Sequence, residues 1–435
     1  MTSPTSLDAA AIRAEGNHKG PARTHRSQGI RRTRRWMLPA LIAVAYVLLQ
    51  IVGKPTLPPA NDAYRYARAT LEILGDSREQ AQHTALKAYC RDKVHWDLRY
   101  QGLDPQNLRE DAPAGPDRAK RYKGCLINSA KGLEPTSPRY ERIFDVRPGF
   151  AVLAVPAVAV LGAGPGLLVT SVLFTVLGGV LVYLLLRAVG TGRGTAAIGQ
   201  AFYYASPIGW WGGLPLTEGP VLALTIGALL GSWWLLNHRT TAGSLMLAGS
   251  LLVGTAVKYS TFLLVAGALG AAALVCLLIV AGTRHRGTYL LAALNTAAVI
   301  GIGVLSIRYS LPGSSETLQD TFTNHFAQPD VDAPWPMLGE LNANYWTHWL
   351  QEQARSPWLI AAVGLGAWGL FRHNRALAWP VLAVGMTGLA AEIAHPVYSQ
   401  GDRLMVNVWI VAVLGLPLLL DQVTRRRGAQ VPGPS

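Results

Sequence analysis

Uncharged apolar blocks alternate along this chain with short basic or polar segments. The clear runs lie at roughly 37–53, 166–187, 194–212, 219–237, 242–257, 261–282, 288–307, 356–371, 377–395 and 404–421. Each is about a bilayer long or slightly short, a membrane helix needing roughly 20 residues. Short segments of alternating polarity, the mark of a membrane β-barrel, are absent. The pattern predicts an all-α polytopic membrane protein of about ten transmembrane helices. One further run, 148–164, opens with Arg147-Pro148-Gly149, carries Pro156 and closes with Gly162-Ala163-Gly164-Pro165. It is short and helix-broken.

Charge decides how that run is read. If it does not cross, then Arg187, Arg193, His238, Arg239, Arg284, Arg286, Arg372, Arg375 and Arg425 to Arg427 all fall on the side of the N-terminal arginines. The positive-inside rule is then met throughout. A full crossing would move all of those loops outside. The expectation is therefore ten spans, both termini cytoplasmic, and 148–164 as a re-entrant or juxtamembrane segment on the outer face, where irregular backbone lies against protein or lines a wet cavity. Residues 1–35 read as a disordered basic cytoplasmic tail, 36–421 as the membrane domain and 422–435 as a second cytoplasmic tail. Two long outer loops result, 54–165 and 308–355, longer than connections need to be. After the first run the chain reads Ile51-Val52-Gly53-Lys54-Pro55, without a small-residue cleavage site, so the first span reads as a retained anchor.

Composition agrees. The 435 residues are 50% hydrophobic and 15% charged, with a net charge of +14. The basic residues gather at the ends of apolar runs and in the N-terminal tail, an anchoring pattern rather than a nucleic-acid surface. Of three cysteines, Cys276 lies within an apolar run, while Cys90 and Cys125 share the first outer loop. An oxidising exterior favours their pairing, with free thiols as the other reading. No Cys-x-x-Cys or His-Glu-x-x-His spacing occurs.

Five polar groups converge on the outer face. They are Asn61-Asp62 with Tyr64 and Arg65; Leu216-Thr217-Glu218; Lys258-Tyr259-Ser260; Glu392-Ile393-Ala394-His395 running to Gly401-Asp402-Arg403; and Asp145-Val146-Arg147-Pro148. Ionisable groups at membrane depth are costly and have partners or a task. Arg147, Lys258 and Arg403 suit a phosphate, arginine as a fork and lysine as a point charge. Asp62 and Glu218 suit a base, since low-dielectric surroundings raise a carboxylate's basicity. Each has a plainer reading: Asp62 as a helix cap, Glu218 as a first-turn helix acid, Lys258 and Arg403 as snorkelling anchors, and Glu392 as a partner of His395 or Arg403. Trp335, Trp346 and Trp349 in the second loop are candidates for stacking on a sugar.

The layout resembles the GT-C superfamily of integral-membrane glycosyltransferases, which use polyprenyl-phosphate-linked sugars. The resemblance rests on order and sidedness over most of 37–421. An acidic residue, Asp62, follows the first span, and Arg147-Pro148-Gly149-Phe150 stands where the family often has Arg-Pro-Pro. Next come Tyr183 to Arg187, Ser206-Pro207, the outer acid Glu218 and Lys258-Tyr259-Ser260. Gly401-Asp402-Arg403-Leu404 stands in place of Gly-Asp-Arg-Tyr. The resemblance implies inverting transfer of a sugar from polyprenyl phosphate to a glycan, lipid or protein acceptor on the outer face of the plasma membrane. Asp62 would be the general base and Glu218 an orienting acid. Lys258, Arg403 and Arg147 would hold the lipid phosphate, with Glu392, His395 and Asp402 nearby, and Tyr64, Trp335 and Trp346 would contact acceptor or sugar. The family's second acidic motif, sometimes a metal-binding Asp-x-Asp, is not of that form here, so neither metal nor cofactor is expected. A transporter or flippase for lipid-linked or anionic cargo is the alternative. Against it, no internal repeat is visible. A structural membrane protein without chemistry is the third reading.

Overall fold

The computed structural model describes residues 24–53, 58–103 and 117–429. The described residues contain eighteen α-helices and no strand. Six helical segments are long and apolar enough to cross a membrane: Ala163–Ala188, Glu218–Leu236, Thr240–Ile279, Arg286–Arg308, Arg375–Ala394 and Tyr398–Arg425. This is the architecture of a helical, multi-pass membrane protein. The first 23 residues and the last six lie outside the described residues, and with them most of the two expected tails. From Thr24 onward the chain is helical, so the first helix starts before its apolar stretch Trp36–Val52.

In chain order the helices are α1 (Thr24–Val52), α2 (Asn61–Ile73), α3 (Arg78–Leu103), α4 (Arg118–Asn128), α5 (Pro138–Asp145), α6 (Pro148–Leu161), α7 (Ala163–Ala188), α8 (Arg193–Ala205) and α9 (Pro207–Gly212). There follow α10 (Glu218–Leu236), α11 (Thr240–Ile279), α12 (Arg286–Arg308), α13 (Ser314–Phe322), α14 (Pro334–Arg355), α15 (Trp358–His373), α16 (Arg375–Ala394), α17 (Gly401–Leu404) and α18 (Trp409–Ala429). Proline and small polar residues set many of these boundaries. Pro148 and Pro207 sit in the first turns of α6 and α9, where a missing N–H costs nothing. Ser206 Oγ caps α9, and Asn374 Oδ1 caps α16.

The 40 residues of α11 would run about 60 Å if straight, about twice the hydrocarbon core. Lys258 breaks it, with φ −158° and ψ 78°. The ring of Phe262 then folds back onto the Cα of Gly254, where any side chain would collide with it. In a straight helix those residues stand about 12 Å apart along the axis. The segment is therefore two helices, Thr240–Val257 and Tyr259–Ile279, hinged at Lys258.

Inter-helix contacts define two ends of the bundle. At one end Ser171 Oγ donates to Leu216 O (3.0 Å) and Tyr259 Oη to Pro312 O (2.6 Å), beside the start of α10 and the Lys258 hinge. Close contacts fix both ends of α6. Gly149 at its start presses on the Ala256–Val257 backbone, and Gly164 just past its end faces Asp92 and Arg91 of α3. At the opposite end His285 meets Leu236 O, His373 meets Val189 O and Arg425 donates to Gly190 O. Arg187, Arg193, Arg239, Arg284, Arg286, Arg372, Arg375 and Arg425 gather there. Asp421 is the one carboxylate at that end among the described residues.

Glycine permits the closest helix contacts, because without an aqueous driving force membrane helices associate by tight packing. Gly178 and Gly179 of α7 receive the rings of Tyr203 and Tyr204, and Gly366 of α15 lies against the α18 backbone at Ala412 and Gly415. Helix α10 is buried almost all round.

Helices α2 to α5 build a polar platform over the hinge end. Its keystone is Arg65, a fully buried cation. Its Nε donates to Glu141 Oε1 (2.9 Å), its other nitrogens reach the carbonyls of Leu133 and Pro135 and the Asn61 side chain, and its guanidinium lies 4.6 Å from the Tyr140 ring centroid. A disulfide joins Cys90 of α3 to Cys125 of α4, closing a loop of 35 residues. Arg139 of α5 reaches across to Glu316 (2.5 Å) and Asp330 (2.7 Å), clasping the platform to the segment that follows α12.

Candidate functional site

Asp62 occupies the first turn of α2, and Arg65 one turn on fixes that turn against the platform. The cap reading does not survive. The N-cap residue is Ala60, without a side-chain cap bond, and Asn61 spends its amide on Glu134 O at 2.6 Å. Asp62 Oδ2 instead accepts from Arg403 Nη2 at 2.8 Å. Arg403 stands on α17, a four-residue helix between α16 and α18. Its Nε donates to Glu218 Oε1 at 2.7 Å. Glu218 is both a first-turn acid of α10 and a buried one. The close approach of α7 behind it requires Gly219, whose added Cβ would lie 2.6 Å from Ser171 O. Lys258 completes the group. Its extended backbone at the hinge carries Nζ to 3.6 Å from the same Glu218 oxygen.

Four charged side chains from four separate elements thus meet in one cluster. Glu218 is closed off, at 5% side-chain exposure, whereas Asp62, Arg403 and Lys258 keep 21, 16 and 22%. The cluster opens to solvent on one side and is sealed on the other. Arg147 stands beside it, its guanidinium 5.5 Å from the Tyr259 ring centroid and its charge felt at Lys258. With Arg147 the cations outnumber the acids by one.

The electrostatics of Asp62 depart from the expectation of raised basicity. Burial pushes its carboxyl up, but the charge and hydrogen bond of Arg403, with Lys258 and Arg65 behind, outweigh burial and hold it below the ordinary 3.8. At rest Asp62 is an ion-pair partner and a weak base.

Tyr64 is not at the cluster. It lies two positions after Asp62, hence on the other side of α2. Its buried hydroxyl points toward the turn at Gly132 and the Glu141–Arg68 pair. Tyr66, one turn after Asp62, is the tyrosine that faces the charges. Its ring is wedged edge-on between Phe144 and Phe150, and burial and then the Asp62 charge keep its phenol protonated. The i,i+4 spacing was the available signal.

The segment between α12 and α14 adds residues that the sequence did not point to. Asn324, His325 and Phe326 adopt φ of 51, 61 and 61°, a left-handed run without glycine. It is held by His325 N to Asp320 O and Phe326 N to Thr323 Oγ1, both 2.9 Å. This fold-back sets the His325 ring 4.8 Å from that of Tyr140, with Nδ1 3.0 Å from Asp320 Oδ1. The His325 charge is felt together with those of Asp62 and Arg65. His395 bonds Thr321 Oγ1 at 2.7 Å. Burial, and the cations His325, Lys258 and Arg403, hold the His395 imidazole below its ordinary value against the pull of Asp320.

The remaining candidates lie apart. Glu392 is fully buried in α16 beside Tyr345, in a pocket closed by Gly401. Its carboxylate partners neither His395 nor Arg403. Asp402 points to solvent, away from its neighbour Arg403. Trp335 is 58% exposed at the start of α14, and Trp346 spends its indole N–H on Asn342 and packs against Trp349. Neither indole joins the hydrogen bonds of the cluster.

No protein-family model matches this chain, and no curated protein matches it either.

Chemically, the cluster presents two accessible cations that share one buried acid. An anion entering from the open side can replace carboxylate oxygens on the Arg403 fork, which suits phosphate geometry.

Proposed function

We propose that this protein is a membrane glycosyltransferase that moves a sugar from a polyprenyl phosphate to an acceptor at the face carrying Asp62. The observation that carries this reading is the meeting of Asp62, Glu218, Lys258 and Arg403 in one half-open cluster at the ends of apolar helices. A lipid-borne phosphate reaches that depth without leaving the bilayer.

The donor phosphate displaces Asp62 from Arg403 and binds between Arg403, Lys258 and Arg147, while Glu218 keeps hold of the Arg403 Nε. Losing its partner removes the main influence that depresses Asp62, so its basicity rises when substrate is bound. Asp62 then takes the proton of the acceptor hydroxyl, and the acceptor oxygen bonds to the anomeric carbon. The bond from that carbon to the phosphate oxygen breaks with its electron pair, inverting the centre. The cations offset the charge on the departing phosphate. The sugar enters between Asp62 and Arg403, which touch at rest. His325 and Tyr140 wall the approach.

The accompanying topology is ten spans with both termini cytoplasmic in the plasma membrane. The Lys258 hinge splits α11 into two spans, and α6 stays at the outer face with both ends beside the platform. The arginine-rich opposite end faces the cytoplasm, as the positive-inside rule requires.

The test is in-vitro transfer from a polyprenyl-phosphate sugar. Asp62→Asn should lose roughly 10²- to 10⁴-fold in turnover, the ordinary share of general-base catalysis. Full activity in that variant removes the base assignment. Envelope glycans and glycolipids of a deletion strain, compared by mass spectrometry, should lack one sugar.

A further inference from the structure

A cavity of about 490 Å³ opens at the arginine-rich end, far from the Asp62 cluster. It is lined by Ile279, Val280, Phe371, Arg372, Arg375 and Trp379. Three elements meet there: the end of α11, the last turn of α15 and the first turn of α16. Basic and apolar groups are sorted within it. Phe371 and Trp379 stand edge to face, 5.2 Å between centroids, and form the inner wall. Ile279, 64% exposed, forms an apolar lip. The Arg372 guanidinium is oriented by the Trp368 ring, 5.3 Å away.

Among the described residues Arg193, Arg239 and Arg286 at the same end also lack a side-chain partner but do not line the cavity, and three others are held by protein groups. Arg425 pairs with Asp421 at 2.7 Å, Arg284 donates to Leu277 O at 2.9 Å and Arg187 is bonded to Thr191 O. Among the described residues neither Arg372 nor Arg375 has a hydrogen bond or carboxylate partner. Two unpaired guanidinium groups thus share a cavity with aromatic walls and an apolar lip, at the level where apolar helices end. We infer that this cavity binds the phosphate headgroup of an anionic phospholipid from the leaflet at the arginine-rich end. The arginines take the phosphodiester, Trp379 sits at headgroup level, and the acyl chains run down past Ile279. Basic pockets between membrane helices take such headgroups, with each nearby Arg adding to affinity. A free phosphate monoester shares the headgroup's chemistry but has nothing to place on the apolar lip. This inference does not depend on sugar transfer.

The experiment is native mass spectrometry of the full-length protein released from nanodiscs of phosphatidylglycerol or of phosphatidylcholine. The wild type should retain one phosphatidylglycerol and no phosphatidylcholine, and glycerol 3-phosphate should not displace it. Arg372→Gln with Arg375→Gln should weaken retention roughly 30-fold, and Arg375→Gln alone roughly fivefold. Arg284→Gln, outside the cavity at the same end, should leave retention unchanged. Equal retention in wild type and Arg375→Gln overturns the proposal even if the double variant fails to fold. Equal retention of both lipids, or displacement by glycerol 3-phosphate, overturns it as well, the latter in favour of a soluble phosphate site.

Discussion

Arg403 Nη2 lies 2.8 Å from Asp62 Oδ2, across 341 residues of chain. The contact ties the first helix of the polar platform to the short helix that precedes the last apolar one. Because the same guanidinium also holds Glu218, Arg403 is the only group that touches both acids of the cluster among the described residues. The site is therefore complete only when both distant parts of the chain are in place.

Arg403→Gln should destabilise the protein by about 3–5 kcal/mol, the usual cost of removing one partner from a buried ion pair. Asp62 and Glu218 are then left close together with only Lys258 to offset them. The loss should show as a lower midpoint of thermal unfolding in detergent. Arg403→Gln combined with Asp62→Asn should cost less than the sum of the two single changes, since they share one interaction.

Asp62 makes stability depend on acid. Its carboxyl titrates lower in the folded protein than its ordinary 3.8. It therefore stabilises the fold fully above that value, and the contribution is lost as pH falls through the folded value. The thermal midpoint should drop on acidification below the ordinary carboxylate range. Asp62→Asn should flatten that acid limb and leave the neutral-pH limb with its slope unchanged. An acid limb of the same steepness in both proteins would count against the ion pair as drawn.

The sequence made the apolar runs legible, because uncharged blocks of bilayer length have few other uses. Each of the ten runs corresponds to helix in the structure, with the run at 194–212 broken at Ser206-Pro207 and that at 404–421 opening in the 3₁₀ turn Met405–Val408. Lys258 between two apolar runs was legible as a break for the same reason. Side-chain direction was not. Tyr64 looked adjacent to Asp62 in sequence, but helical spacing places Tyr66 there instead. Asp402 and Arg403 are neighbours on a single helical turn and point apart. His325 had no signal at all, since it depends on a left-handed fold-back that no glycine announces. Adjacency along the chain is not adjacency in space, because the helix period overrules it.

His325 gives the opposite pH response. Its hydrogen bond to Asp320, against burial and with the Asp320 charge, raises its imidazole above the ordinary 6.5. A raised group stabilises fully below its unfolded value, and the contribution fades as pH rises through the folded one. The fold-back at 323–328 should therefore loosen in alkali. Hydrogen exchange there, corrected for the intrinsic rate, should quicken on raising the pH in the wild type. In Asp320→Asn it should be fast at both ends of the range. The Arg139 clasp to Glu316 and Asp330 is exposed and contributes no more than about 1 kcal/mol. Arg139→Ala should consequently leave the pH response of the fold-back in place.

The Cys90–Cys125 disulfide acts on the platform rather than on the bundle. It joins α3 to α4 across 35 residues, and α4 buries no residue of its own. Without the bond, α4 depends on the half-buried packing of Tyr122 and Leu126 and on the Asp117 cap to Lys120 N. Closing a loop of that length contributes about 3–4 kcal/mol through the unfolded chain. Cys90→Ser with Cys125→Ser should therefore open 117–129 to proteolysis, whereas the helices α7, α10 and α11 keep their exchange protection. The charge cluster hangs from α2, which Arg65 pins to the carbonyls of Leu133 and Pro135 just beyond α4. If that link transmits disorder, the proposed sugar transfer falls in the double serine variant together with the proteolytic opening. If α2 holds on its bundle contacts alone, cleavage appears without loss of activity. Limited proteolysis and the transfer assay on the same preparation separate the two.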